Sequence, residues 1–113
     1  MKLVADSHAL VWFTQGSEQI SETALTALRE AENNDGIGIS VATFIDLWYV
    51  TQTTKAISER ELSQLHSLVT APGAGVEISP ITLGIADHYQ SISRALLRDP
   101  WDRLIVATAM YHA

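Results

Sequence analysis

Short apolar runs alternate along this chain with longer stretches in which apolar residues recur every three or four positions. Lys2 to Ala5 predicts a short buried strand, followed by Asp6-Ser7 as a turn or N-cap and by a short helix over His8 to Thr14. Ser21 to Asn33 predicts an amphipathic helix: Ser21 can cap it, and Ala24, Leu25, Leu28 and Ala31 share one face. Asn33-Asn34-Asp35-Gly36 is a strong stop, after which Ile37 to Ser40 predicts a second strand. Val41 to Thr53 has a helical pattern but is apolar on most sides, which predicts a buried helix. In Ser58 to Thr70, Ser58 and Glu61 have capping-box spacing, and Leu62, Leu65, Leu68 and Val69 form a face. Ala71 to Gly75 is a loop, and Val76 to Ser79 a third strand. A helix is predicted over Thr82 to Leu97, with Ile85, Tyr89, Ile92 and Leu96 on one stripe, and a last one from Pro100 to the chain end.

Short apolar strands alternating with helices predict an α/β domain with a parallel sheet. The 113 residues suit one domain spanning 1–113. No apolar run approaches the ~20 residues of a membrane-spanning helix, and a charge arrives at Asp6, too early for a signal-peptide core. The absence of cysteine excludes disulfides, thiolate catalysis and cysteine-ligated zinc, and fits the cytoplasm. A net charge of -6 argues against a simple phosphate-backbone binder. It is compatible with a metal-dependent nuclease, because divalent ions reverse the charge of an acidic pocket.

Four acids sit in unusual places. Asp6 follows the first apolar run, Asp46 interrupts Ala42 to Val50, and Asp99 and Asp102 open the last helix. Carboxylates bordered by apolar sequence need hydrogen bonds, a cationic partner or a metal. In open α/β sheets ligands bind beyond the carboxyl ends of the strands, so one strand end and several helix starts predict a single acidic edge. Oxygen ligands in that number suit magnesium or manganese. Each acid also has a structural reading. Asp99-Pro100 with Asp102 is what a capped helix start looks like. Asp6 reads equally as cap or ligand. Asp46 lies too deep for capping, and its alternative is a pair with Arg103.

Ser7 and Thr43 can orient a carboxylate or a water, or serve as caps. Arg94 and Arg98, one helical turn apart, can contact phosphate but read slightly better as a solvated helix face, and Arg103 is a further candidate substrate contact. His8 reads as a structural histidine, His66 as a solvent-face residue, and His88 and His112 have no partner in the sequence. The glycine pairs lack the third glycine of a dinucleotide loop. Trp12, Trp48 and Trp101 read as core or interface residues rather than base-stacking platforms. A receiver domain needs paired acids after strand one and a late lysine, whereas Asp6 stands alone and the last lysine is Lys55. A phosphatase with an aspartate nucleophile needs a second aspartate at position 8, which is His8.

The chain resembles the PIN-domain nucleases, and among them the VapC-type toxins of type II toxin–antitoxin pairs. Leu3 to Trp12 is similar to the family's opening strand and first acid. Ile39 to Asp46 is similar to its second motif, and Asp99 to Ala109 to its third. The resemblance implies a three-layer α/β/α domain and an Mg2+- or Mn2+-dependent endoribonuclease. It implies Asp6 and Asp102 as principal metal ligands, Asp46 completing the pocket directly or through water, and Asp99 as an accessory acid. It further implies a homodimer and a cognate antitoxin covering the site. Asp46 stands where the family usually has glutamate, one methylene longer. The family continues past the final helix into another strand with a fourth acid, whereas this sequence stops at Ala113. The alternative is a PIN-like module that binds an antitoxin or dimerises without cleaving RNA.

Overall fold

The structure is a computed structural model, and it describes residues 3–97 and 99–113. Its elements run β1 (Leu3–Val4), α1 (Ser7–Gln15), α2 (Glu22–Asn33), β2 (Ile37–Ser40), α3 (Val41–Thr53), α4 (Glu59–Thr70), β3 (Val76–Ser79), α5 (Leu83–Ser91) and α6 (Pro100–His112). The strands form one sheet in the order β1-β2-β3, parallel throughout. The register pairs Leu3 with Ile37, and Ile37 in turn with Val76. All three strands therefore deliver their carboxyl ends to the same edge.

Alternation along the strands gives the sheet two different faces. Ala5, Ile37 and Ile39 join Leu10, Leu28, Leu47, Leu65 and Val69 in the main core, with Leu3, Val76 and Ile78 packed at its border. Helices α1 to α4 cover this face. Full burial of a residue such as Leu10, Ile37 or Ile39 contributes roughly 1.5–3 kcal/mol. The other face presents small side chains, Gly38, Ser40 and Ser79, all buried. On that side α6 packs against β1, and His112 Nε2 meets Ser79 Oγ at 2.9 Å. Helix α5 lies against α6, closing the third layer. Gly84 permits this approach, since a Cβ there would come within 2.3 Å of the Tyr111 ring.

Caps fall where the sequence places them. Ser21 and Ser58 accept from the backbone N–H groups of Ala24 and Glu61, and Glu61 returns a bond from the Ser58 N–H. The loop before β3 turns through Gly75 at φ +69°, where a Cβ would sit 2.5 Å from the Glu32 carbonyl oxygen. Its own carbonyl accepts from the Ile37 N–H at 2.8 Å, which ties this loop to the start of β2.

Three expectations need correction. Helix α5 ends at Ser91, not Leu97: Ile92 is extended, and Ser93 starts a separate turn by accepting from the Ala95 N–H. Leu96 therefore leaves the predicted stripe and is 85 % exposed. Leu68 stands off the inner face of α4 and is exposed. His112 is not partnerless, as the Ser79 contact shows.

Candidate active site

Asp6 sits just beyond β1, where its Oδ1 accepts from the Ala9 N–H at 2.7 Å and caps α1. Asp46 lies in the second turn of α3, half-buried, and its Oδ2 accepts from Ser7 Oγ at 2.7 Å. This bond crosses 39 positions of sequence and fixes α1 against α3. Asp99 Oδ1 accepts from the N–H groups of Trp101 and Asp102, at 2.8 and 3.2 Å, and caps α6. Asp102 follows at the third helical position.

These carboxylates share one electrostatic neighbourhood. Asp102 is raised above its ordinary pKa, first by loss of hydration and then by the charges of Asp99, Asp6 and Asp46. His8 opposes the shift. Asp102 remains exposed by area, so its neighbours remove only part of its water shell. Helix packing brings the acids together independently of charge. Helix α6 contacts both β1 and α3, and the rings of Tyr49 and Trp101, close in sequence to Asp46 and Asp102, stand 6.3 Å apart.

Carboxylate oxygens are the donor set of a hard divalent ion, and like charges that act on one another favour a cation among them. The fit is one of chemistry and charge. Among the described residues, no three His, Asp or Glu side chains are drawn together tightly enough to hold an ion.

Ser7 is buried and serves Asp46, so it positions a carboxylate. Thr43 is fully buried on α3, one turn before Asp46, and its Oγ1 has no protein partner among the described residues. Arg103 does not pair with Asp46. Its guanidinium donates to the Ile92 carbonyl at 2.7 Å and to the Tyr89 carbonyl and hydroxyl at 3.4 Å, while lying 4.4 Å over the Tyr89 ring. It binds the exposed carbonyl end of α5 and is not a free RNA contact. Arg94 is exposed in the turn after α5, and Arg98 lies outside the described residues.

Three side chains near the acids differ from or add to the sequence reading, in which His8 is a partly buried structural residue ahead of a ligand or acid, Trp12 is core or interface, and Tyr49 is not singled out. His8 is exposed, acts on Asp102, and lies 5.8 Å from the Trp12 ring. Trp12 lines an open cleft that also includes Asp46, so it is not simply a core residue. Tyr49 packs edge-on against Trp48, and both are 49 % exposed. A signal existed for Trp12 and Tyr49, an aromatic within one or two helical turns of a functional acid, but aromatics at such spacing usually fill cores.

A small domain that collects carboxylates at the carboxyl edge of a parallel sheet, with helices on both faces, defines an acid-site α/β class. The PIN domain family matches residues 3–113, and the chain belongs to that family. Its members are typically metal-dependent nucleases that use Mg2+ or Mn2+. No curated protein and no solved structure matches the chain. Among the described residues, no helix is long and apolar enough to cross a membrane.

Proposed function

We propose that this chain is an Mg2+- or Mn2+-dependent endoribonuclease, the cytoplasmic toxin of a type II toxin–antitoxin pair. The observation that carries the nuclease reading is the placement of four acids on elements that meet: Asp6 at the end of β1, Asp46 held by Ser7 on α3, and Asp99 and Asp102 at the start of α6, which packs against both β1 and α3. Asp6, Asp46 and Asp102 would hold the ion, with Asp99 at the rim. When bound, the ion supplies an acidified water and offsets phosphodiester charge. Ser7 holds Asp46 in one orientation through its hydroxyl. Asp6 and Asp99 each use one oxygen to fix a helix start, so helix geometry sets where these carboxylates stand. Ile45, Trp48 and Tyr49 on α3 are exposed apolar side chains beside Asp46, which supports a homodimer or antitoxin surface there.

The direct test is cleavage of single-stranded RNA with Mn2+ by wild type and by Asp102→Asn of matched stability. Loss in the variant and in chelator supports the reading, and equal cleavage by both proteins defeats it. The looseness of the carboxylate group favours a second reading, a module that binds a partner without cutting. Wild type that captures a protein partner but never turns over RNA with any divalent ion would establish it.

A further inference from the structure

A cleft of about 400 Å3 opens between α1 and α3, directly beside the acidic group. That volume lies within the roughly 300–1,000 Å3 typical of small-ligand pockets. The cleft and the acidic group share a wall, the bonded pair Ser7 and Asp46. An occupant of the cleft therefore touches the same Asp46 that belongs to the acidic group.

The lining specifies the occupant's chemistry. Trp12 is half-buried, with His8 tilted 44° to it, so aromatic surface faces the opening. Leu47, Val50 and Ile57 add apolar area. Gln15 and Gln19 contribute amides; Gln15 Nε2 donates to Glu61 at 3.2 Å, which leaves its carbonyl oxygen to accept from an occupant. Among the described residues the lining holds no lysine or arginine, and Asp46 contributes a negative charge. A phosphate would be repelled here. A flat, uncharged group with hydrogen-bonding edges would be accepted. Single-stranded RNA offers such groups as unstacked bases, which proteins hold by stacking on aromatic rings and bonding at their edges.

We infer that the α1–α3 cleft is a pocket for one nucleobase of the RNA strand, flanking the phosphate at the acidic group. Its position beside a scissile bond rests on the nuclease reading, whereas base binding itself does not. The pocket gives the enzyme a base preference at one position next to the cut, with Trp12 as stacking surface and the glutamines as edge contacts.

Two measurements test this on the intact chain. The first titrates adenosine, guanosine, cytidine and uridine into metal-free protein and follows by NMR the backbone amide signals of the cleft residues and, in wild type, the Trp12 indole N–H, assigned with Trp12→Phe. At least one nucleoside should shift these signals. Trp12→Ala should weaken binding about 5- to 100-fold, the usual range for a lost base–aromatic stack, while Trp12→Phe retains it. The second digests a randomised single-stranded RNA with Mn2+ and reads the bases flanking each cut. Wild type should show a preference at one flanking position, flattened by Trp12→Ala and by Gln15→Ala. Cleavage with no nucleoside shift and an unaltered preference in both variants overturns the pocket and leaves the nuclease intact. Nucleoside binding without cleavage in any divalent ion supports the pocket and removes the nuclease reading. Should Trp12→Ala not fold, Trp12→Phe and Gln15→Ala carry both measurements.

Discussion

Helices α4 and α6 begin with the same local pattern, a capping side chain followed three residues later by an acid. In α4 the pair is Ser58 and Glu61, and in α6 it is Asp99 and Asp102. At α4 the acid is spent on structure: Glu61 accepts from the Ser58 N–H at 3.0 Å and from the Gln15 amide at 3.2 Å. At α6 the cap is itself an acid, and the second acid faces Asp6 and Asp46 from elsewhere in the chain. Local sequence thus sets both acids at a helix start. Only tertiary context turns one into a tie and the other into a member of a repelling group.

The sharpest way to break this comparison is to neutralise each acid in turn. Asp102→Asn should reduce Mn2+-dependent RNA cleavage about 100-fold or more, the scale of losing a metal-holding group or its support. Glu61→Gln should leave the cleavage rate unchanged. Equal losses in gel-based turnover assays would erase the distinction between the two helix starts.

Next in size is Arg103, which binds the end of α5. Arg103→Met should lower unfolding free energy by roughly 1–3 kcal/mol in urea, because the carbonyl partners at the end of α5 lose a charged donor. The salt dependence of RNA binding should stay the same. A flatter salt slope with unchanged stability would return Arg103 to the substrate.

A smaller effect is expected at the α4 cap. Ser58→Ala should cost about 1 kcal/mol in the same denaturation experiment, with no change in metal response.

The smallest effect concerns pH. The folded pKa of Asp102 is raised, so the folded state holds this proton more tightly than the unfolded chain does. Between the ordinary aspartate pKa and the raised value, stability therefore falls as pH rises. In metal-free buffer, wild type should melt lower at neutral pH than Asp102→Asn, and the gap should close below the ordinary aspartate range. Added Mn2+ should raise the wild-type melting temperature, since a ligand of the folded state stabilises it. A variant that melts lower than wild type at neutral pH would contradict the repulsion.

Much of the fold was legible because its signals are local. Ser21, Ser58 and Asp99 marked helix starts, and short apolar runs set the strands apart from the three-to-four-residue period of the helices. The end of α5 was not legible. From Ser91 to Asp99 the sequence contains neither glycine nor proline, and apolar residues continue at Ile92, Leu96 and Leu97. What meets the carbonyls at that end is Arg103, reaching over from the next helix. The candidate site was legible as residue types, since acids amid apolar sequence demand an explanation. That Ser7 serves Asp46 could not be read, because the bond joins two elements separated by a whole helix and strand. The cleft at Trp12 was hidden for the same reason: its walls come from α1, α3 and the segment beyond α3.

The bond between Ser7 and Asp46 welds the first half of the chain into one block bearing Asp6 and Asp46. The grip of Arg103 on α5, with Gly84 tucked beneath Tyr111, welds the last two helices into another bearing Asp99 and Asp102. Asp6 and Asp46 therefore meet Asp102 across a seam, the contact of α6 with β1 and α3. Mutual repulsion pries that seam open, and a doubly charged ion lodged in it would reverse the force. The width of the seam is then the quantity through which cation supply and strand capture would read each other.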